Sequence, residues 1–418
     1  MAADPANPRR CGIDTVEIAR IERLLAETPE AELGRWFNAR ELADAGHARE
    51  RAASLAARFA AKEACAKLFP RETALGQVAL EDFSVTSDNY GAPQVVCAPR
   101  AQAVLDRHRI ARIELSLTHD RSSASAVALA VPATTDVPLA GRILYRWLPI
   151  RRRIVLENLK RVYGDDLSHD EIVRLAQAHY AHLWRLAKEF LRFRWLTEAQ
   201  KAALVTVENI EAVEAALAQD KGVLVLTGHF GNWEIATTAA IRSYPHVRGR
   251  FHFVRRALKP AWLDALVTRR FNQAGLGVLP KRGSLDAILD TLAKGDMIVF
   301  PFDQHAQPPD GIAVDFFGHP AWTFKSLAII ALATGAPVLP ASAWREPDGR
   351  HVLRFEDALP PIENPDAKEA IRATTRSFNE VLERLILARP EQWYWVHRRW
   401  KTVSRPATKG ARPRGHAS

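Results

Sequence analysis

Two sets of residues in this chain have the types and spacing to do chemistry. The first is Gly228-His229-Phe230-Gly231-Asn232-Trp233-Glu234. His229 follows the apolar run Val223-Leu224-Val225-Leu226-Thr227, which reads as a buried strand, and a helix is expected to start near Trp233. Reactive groups in an open α/β sheet gather at the carboxyl ends of strands. The positive end of the following helix opposes an imidazolium, and a neutral imidazole can take a proton from a hydroxyl. Glu234 would then supply the counter-charge, because the turn brings it back; on a regular helix, positions i and i+5 do not share a face. Gly228 and Gly231 permit a tight turn and close approach of a substrate. A histidine satisfied locally on a strand-to-helix turn fits the same seven residues equally well. The second set is Asp14, Glu63 and Lys67. Glu63 and Lys67 are four apart in a helical segment and share a face, and Asp14 is expected at a strand end. Two carboxylates can hold Mg²⁺ when waters and substrate phosphates complete the octahedron. On spacing alone, Glu63 and Lys67 read better as a helix ion pair worth about 0.2–0.5 kcal/mol.

The elements that must position these residues fall in two patterns. Residues 16–26 and 48–69 have helical periodicity, whereas 83–86, 94–97, 113–117 and 124–131 read as strands in antiparallel pairs. That is a small α+β domain over residues 1–132. A small, polar, proline-flanked stretch at 133–140 reads as a linker. Beyond it, helical periodicity runs through Leu191, and strands at 222–227, 297–300 and 337–340 alternate with helices. This predicts an α/β sheet covered on both faces, over residues 141–403. The basic, Gly- and Pro-rich stretch 404–418 reads as a disordered tail.

Composition narrows the class. Of 418 residues, 47% are hydrophobic and 25% charged, so each domain can bury a core. A formal charge of +10 suits nucleic acid, anionic lipid or an acidic protein partner. The chain lacks a helix-turn-helix, zinc-finger or aromatic RNA-binding motif, which argues against nucleic acid. Three cysteines, Cys11, Cys65 and Cys97, without CxxC spacing argue against a disulfide framework or zinc site and for a reducing compartment. No signal peptide is recognisable, and no run of about 18 uncharged apolar residues predicts a transmembrane helix. The expected location is cytoplasmic.

The His229 segment resembles the His-x4-Asp/Glu motif of the lipid A (lauroyl/myristoyl) acyltransferase family, within the lysophospholipid acyltransferase superfamily. The similarity continues in order through Arg256-Ala257-Leu258-Lys259-Pro260 (the family usually has Pro where Ala257 stands), Asp303-Gln304, the block around Phe316-Phe317-Gly318, Thr334-Gly335-Ala336-Pro337, and Gln392-Trp393-Tyr394-Trp395-Val396-His397-Arg398-Arg399-Trp400-Lys401. The resemblance implies acyl transfer from an acyl carrier protein (ACP) thioester to a lipid hydroxyl. His229 would be the base and Glu234 its orienting partner, while Arg256 and Asp303 position acceptor or donor. The family usually begins with an apolar membrane helix. Here only residues 139–150 stand in its place, with Arg142, Tyr145, Arg146 and Trp147, and these read as an interfacial anchor on anionic lipid or as a solvated basic linker. An anchor would make the protein peripheral at the cytoplasmic face of the inner membrane.

The first domain resembles holo-ACP synthase, a 4′-phosphopantetheinyl transferase. The resemblance rests on Gly12-Ile13-Asp14 with the residues to Ile21, on Arg58 to Lys67, on Asp88-Asn89-Tyr90-Gly91-Ala92-Pro93, and on Leu115-Ser116-Leu117-Thr118-His119-Asp120, where the family usually has Ser at Thr118. It implies transfer of phosphopantetheine from coenzyme A to a serine of apo-ACP, with Asp14 and Glu63 binding Mg²⁺. Glu63 would help deprotonate that serine. Lys67 and His119 would meet phosphates, Thr118 would help bind substrate, and Arg20 would face the acidic recognition helix of ACP. The family's sites form between subunits, usually in a trimer. Together the resemblances imply a bifunctional enzyme; the alternative is an acyltransferase whose first domain only docks ACP.

Overall fold

The computed structural model describes residues 10–401, except 47–50, 70–73, 75, 77, 89–90, 134, 149, 165, 256–258 and 281–282. Its contacts group into two compact units, residues 1–189 with 384–393, and residues 190–383 with 394–418. The helices after the linker therefore pack in the first unit, although the sequence reading assigned them to the second domain.

The first unit begins with β1 (Cys11–Glu17), α1 (Ile18–Glu27), α2 (Ala39–Ala45) and α3 (Arg51–Ala66). There follow β2 (Phe83–Ser87), β3 (Pro93–Cys97), α4 (Pro99–Arg107), β4 (Ile110–His119) and β5 (Ser123–Pro132). The five strands form one antiparallel sheet in the order β1-β5-β4-β3-β2. Small side chains let α3 lie close on this sheet: Ala56, Ala60, Ala61 and Ala64 meet Ala124, Ala126 and Ala128 in one core. Gly12 is the tightest point, since a Cβ there would fall 1.9 Å from the Ala64 carbonyl oxygen. A buried ion pair adds specificity. Lys62 Nζ donates to Glu41 Oε2 and to the Trp36 carbonyl, each at 2.7 Å, and Glu41 Oε1 accepts from Val85 N–H. The remaining elements of this unit are helical: α5 (Leu139–Trp147), α6 (Arg152–Tyr163) and most of α7 (His169–Phe193). Gly141 of α5 packs directly on Gln177 and Ala181 of α7.

The second unit contains α8 (Glu198–Ala202), β6 (Val205–Glu208), α9 (Ile210–Leu217), β7 (Val223–Thr227), α10 (Trp233–Ala240) and β8 (Phe251–Arg255). It continues with α11 (Ala261–Ala274), β9 (Leu276–Pro280), α12 (Leu285–Ala293), β10 (Met297–Pro301), β11 (Gly311–Phe316) and β12 (His319–Phe324). It closes with α13 (Ser326–Thr334), β13 (Val338–Arg345), β14 (His351–Phe355) and α14 (Ala367–Ala388). Seven strands form a mixed sheet in the order β6-β14-β13-β7-β10-β8-β9. The stretch β13-β7-β10-β8-β9 is parallel, and β14 runs antiparallel to β13. Val223, Val225, Met297 and Val299 meet α9, α10 and α11, while Leu224, Leu226 and Ile298 on the opposite face are equally buried. Strands covered on both sides need continuous apolar runs, which is why β7 and β10 were legible in the sequence. β6, β8, β9, β14 and the β11–β12 hairpin were not foreseen.

Candidate functional site

The chain passes from β7 through β8 and β9 before β10 returns to lie between β7 and β8. Thr227, the last residue of β7, pairs with Pro301, the last of β10. The two segments that leave these ends, Gly228-His229 and Phe302-Asp303, are therefore neighbours at the carboxyl edge of the sheet, where such folds place ligands. Asp303, 3% exposed, holds His229 twice: Oδ2 accepts the His229 backbone N–H at 2.7 Å, and Oδ1 lies 2.8 Å from His229 Nδ1. The ring donates through Nδ1 to the carboxylate, and this leaves Nε2 with a lone pair. Gln304 Nε2 approaches that nitrogen at 3.4 Å. The turn depends on glycine. A Cβ on Gly228 would meet the Phe230 ring and Asp303 Oδ2; Gly231 has φ +52°, and a Cβ there would lie 2.5 Å from the Ala343 carbonyl.

The imidazole has aromatic neighbours. Trp233 presents its edge at 6.2 Å between ring centroids, and the half-exposed Tyr394 lies at 6.2 Å on a tilted plane. Nearby, His305 N–H donates to His397 Nε2 at 3.1 Å, so the neutral His397 carries its proton on Nδ1. Burial pushes His397 down to about 4. Arg399 is fully buried and anchors this terminal segment: Nη1 donates to the Trp322 carbonyl at 2.7 Å, Nη2 to Thr323 Oγ1 at 2.6 Å, and the guanidinium covers the Phe316 ring. The Phe316-Phe317-Gly318 block forms the tight turn between β11 and β12, with positive φ at Phe317 and Gly318. Behind Trp233 a narrow apolar cavity of about 50 Å³, partly open to solvent, runs between the helices and the sheet, past Thr237, Val225, Val299, Tyr244 and Phe355. That is well below the range of about 300–1,000 Å³ usual for ligand pockets.

Glu234 lies in the first turn of α10 and is partly buried. The carboxylate on His229 Nδ1, however, is that of Asp303, so Asp303 takes the orienting position expected of Glu234. The resemblance gives Asp303 a substrate-positioning role; 74 residues separate it from His229, and only strand order joins them. Gln304 and Tyr394 stood in quoted motifs but carried no expected role. Arg256 lies outside the described residues.

In the first unit, Lys67 Nζ donates to Asp14 Oδ1 at 2.7 Å and to the Ile13 carbonyl at 3.1 Å. Asp14 stands in the middle of β1, not at a strand end, because β1 extends to Glu17 to pair with β5 as far as Ser123. It lies on the sheet face covered by α3. Register continues that face from Val16 through Ala124 to His119, the last residue of β4. Thr118 falls on the other face, in line with Ser125 and Thr15, since successive strand residues alternate. The structure thus groups Asp14, Lys67 and His119 on one side, with Glu63 one turn before Lys67 on α3, and sets Thr118 apart. The Arg20 guanidinium covers the Phe59 ring at 5.3 Å.

On α5, Leu139, Ile143 and Trp147 are 71%, 49% and 76% exposed and recur every four residues on one face. Tyr145, expected in the same anchor, instead packs edge-on against Tyr180 beneath Arg152. No helix among the described residues is long and apolar enough to cross a membrane.

Comparison with known proteins agrees with both halves. Residues 137–402 match the family of bacterial lipid A biosynthesis acyltransferases, and residues 10–129 match the 4′-phosphopantetheinyl transferase superfamily. Over 248 residues the chain is 26% identical to a phosphatidylinositol mannoside acyltransferase of Mycolicibacterium smegmatis, covering 58% of this chain and 77% of that one. It is 25% identical to the lipid A biosynthesis lauroyltransferase of Escherichia coli over 264 residues, 63% of this chain and 83% of that one. Its first part is 38% identical to the holo-[acyl-carrier-protein] synthase of Moorella thermoacetica over 118 residues, 28% of this chain and 90% of that one. The chain is a fusion enzyme that belongs to the bacterial lipid A biosynthesis acyltransferase family through residues 137–402 and carries a holo-ACP synthase domain of the 4′-phosphopantetheinyl transferase superfamily at residues 10–129.

Proposed function

We propose that the second domain transfers an acyl chain from acyl-ACP to a lipid hydroxyl, with His229 as base and Asp303 as the group that orients it. The observation that carries this is the doubly held His229: Asp303 accepts its backbone N–H and faces its Nδ1, which makes Nε2 the basic nitrogen. Nε2 takes the proton of the acceptor hydroxyl as its oxygen attacks the thioester carbonyl. Asp303 stabilises the imidazolium so formed. Collapse of the tetrahedral adduct breaks the C–S bond, and the imidazolium returns its proton to the departing phosphopantetheine sulfur. The apolar lining beside Trp233 matches an acyl chain in character, and the cavity would have to widen to admit one. Glu234 and Arg256 are assigned to substrate positioning. The exposed stripe Leu139-Ile143-Trp147, interleaved with Arg142 and Arg146, suits peripheral attachment to the anionic cytoplasmic face of the inner membrane.

The first domain, in this reading, moves phosphopantetheine from coenzyme A to a serine of apo-ACP. Asp14 and Glu63 are the two carboxylates that would hold Mg²⁺, and Asp14 already pairs with a cation, Lys67. Bound Mg²⁺ would neutralise the pyrophosphate. Lys67 and His119 would contact phosphate oxygens, Glu63 would receive the serine proton, and Arg20 would face acidic ACP. Thr118 lies on the opposite face, away from these groups. Exposed Ile13, Val96 and Leu129 on the sheet suit self-association, as a trimer would require. The rival, a domain that only docks ACP, needs neither metal nor turnover.

The test combines purified chain, apo-ACP, coenzyme A and Mg²⁺, with mass spectrometry of the carrier. A gain of one phosphopantetheine that stops on chelation is the expected result; binding without mass gain would favour docking alone. Separately, acyl-ACP and a lipid acceptor are offered to the His229→Ala protein. Undiminished transfer would remove His229 as base.

A further inference from the structure

Fusion could act as a tether that merely raises the local concentration of ACP. The first unit is built differently. Asp166, in the turn after α6, lies 2.8 Å through Oδ1 from His108 Nδ1, and the two side chains are 15% and 6% exposed. His108 caps α4, inside the segment that matches the phosphopantetheinyl transferases, whereas Asp166 lies in the segment that matches the acyltransferases. Arg10, just ahead of β1, reaches the same imidazole through Nη2 at 3.4 Å. Burial lowers the Arg10 guanidinium, and the charge of Asp166 opposes that shift. Phe69 packs on the His108 ring at 5.8 Å.

The connecting segment is pinned as well. Arg109 donates through Nη2 to Thr135 Oγ1 at 2.7 Å, its carbonyl accepts from Ala133 N–H at 2.7 Å, and Val137 is buried. A third stretch closes the joint. His179 of α7, fully buried, lies 3.2 Å through Nδ1 from the Glu391 carbonyl. Arg389 and Arg109 also oppose the rise that burial imposes on the Asp106 carboxyl of α4.

We propose that the two family segments are docked to one another: residues 10–136 bind residues 137–189 and 384–393 non-covalently, through the Arg10–His108–Asp166 cluster. The physical ground is that one carboxylate serves two basic groups, the buried His108 and the half-buried Arg10. Removing it strands them away from water, and stranding a buried partner is far costlier than losing a surface pair. The carrier-loading domain is then held in one orientation on the acyltransferase helices. Nothing in this inference depends on either catalytic activity.

The test uses the full chain with a protease site inserted between Thr135 and Asp136. After cleavage under native conditions, size-exclusion chromatography should return both pieces in one peak at the elution volume of the uncut protein. Pieces that separate at micromolar concentration would overturn the proposal. In the same background Asp166→Lys should weaken the association of the cut pieces at least tenfold, and Asp166→Asn should weaken it less. Circular dichroism of each uncut variant must match the parent, so that release is not mistaken for unfolding. Cut Asp166→Lys pieces that stay together as tightly as the parent would refute the assignment to this cluster.

Discussion

Replacing Asp303 by Asn isolates the contribution of the orienting carboxylate. The Asp303 oxygen lies 2.8 Å from His229 Nδ1, with side-chain exposures of 4% and 25%. Coulomb's law with an effective dielectric of about 20 gives about 6 kcal/mol between a carboxylate and an imidazolium at that distance. Solvent at the partly exposed ring, and the hydrogen bond an asparagine oxygen can still accept, reduce the part that is lost. An Asn can also offer oxygen to only one of the two groups, the His229 backbone N–H or Nδ1–H, and its amide nitrogen faces the other donor. A loss of about 3–5 kcal/mol in the transition state is expected, roughly 10²- to 10⁴-fold in kcat. The assay follows release of the carrier thiol from acyl-ACP at saturating lipid acceptor. Thermal unfolding accompanies it, because losing a charge-assisted hydrogen bond also costs about 1.5–3 kcal/mol of stability. A folded Asp303→Asn protein with kcat within threefold of the parent would refute the assignment.

Asp14→Asn should abolish Mg²⁺-dependent mass gain of apo-ACP while leaving transfer from preformed acyl-ACP within twofold; loss of both activities together would contradict separate sites. Gly12→Ala drives a methyl into the Ala64 carbonyl. Because backbone must give way, denaturant unfolding should show a loss of at least about 1–3 kcal/mol, and an unchanged midpoint would contradict the packing described. His179 and His397 are each held at about 4 by burial, below the ordinary 6.5. The neutral forms stabilise the fold, so stability is full above pH 6.5 and falls as pH drops toward 4, by about 3 kcal/mol per residue. Chemical denaturation between pH 7 and 4 reads this slope, and His179→Gln should remove its share of it.

The two families were legible because their motifs are local. The strand and turn Val223 to Glu234 carry their own signals: a both-sided apolar run, then glycines at a tight turn. The Glu63–Lys67 spacing likewise needs only a helix. The β11–β12 hairpin and β9 were harder, since short strands at sheet edges are specified by neighbours that sequence does not reveal. Tyr145 illustrates the same limit. Its composition suits a membrane interface, yet Tyr180 and Arg152 claim its ring.

What sequence determined by itself was the chemistry available: a histidine on a strand-to-helix turn, two acids and a lysine near a helix, and the order of the two domains. Tertiary structure decided which groups meet. Asp303 reaches His229 because β10 inserts beside β7, and Thr118 parts from His119 because strand residues alternate faces. Asp166 meets His108 because α6 ends against α4 within one unit. Each of these contacts joins residues distant in sequence or opposed across a sheet, and their formation depends on strand order, register and packing, which no short motif encodes.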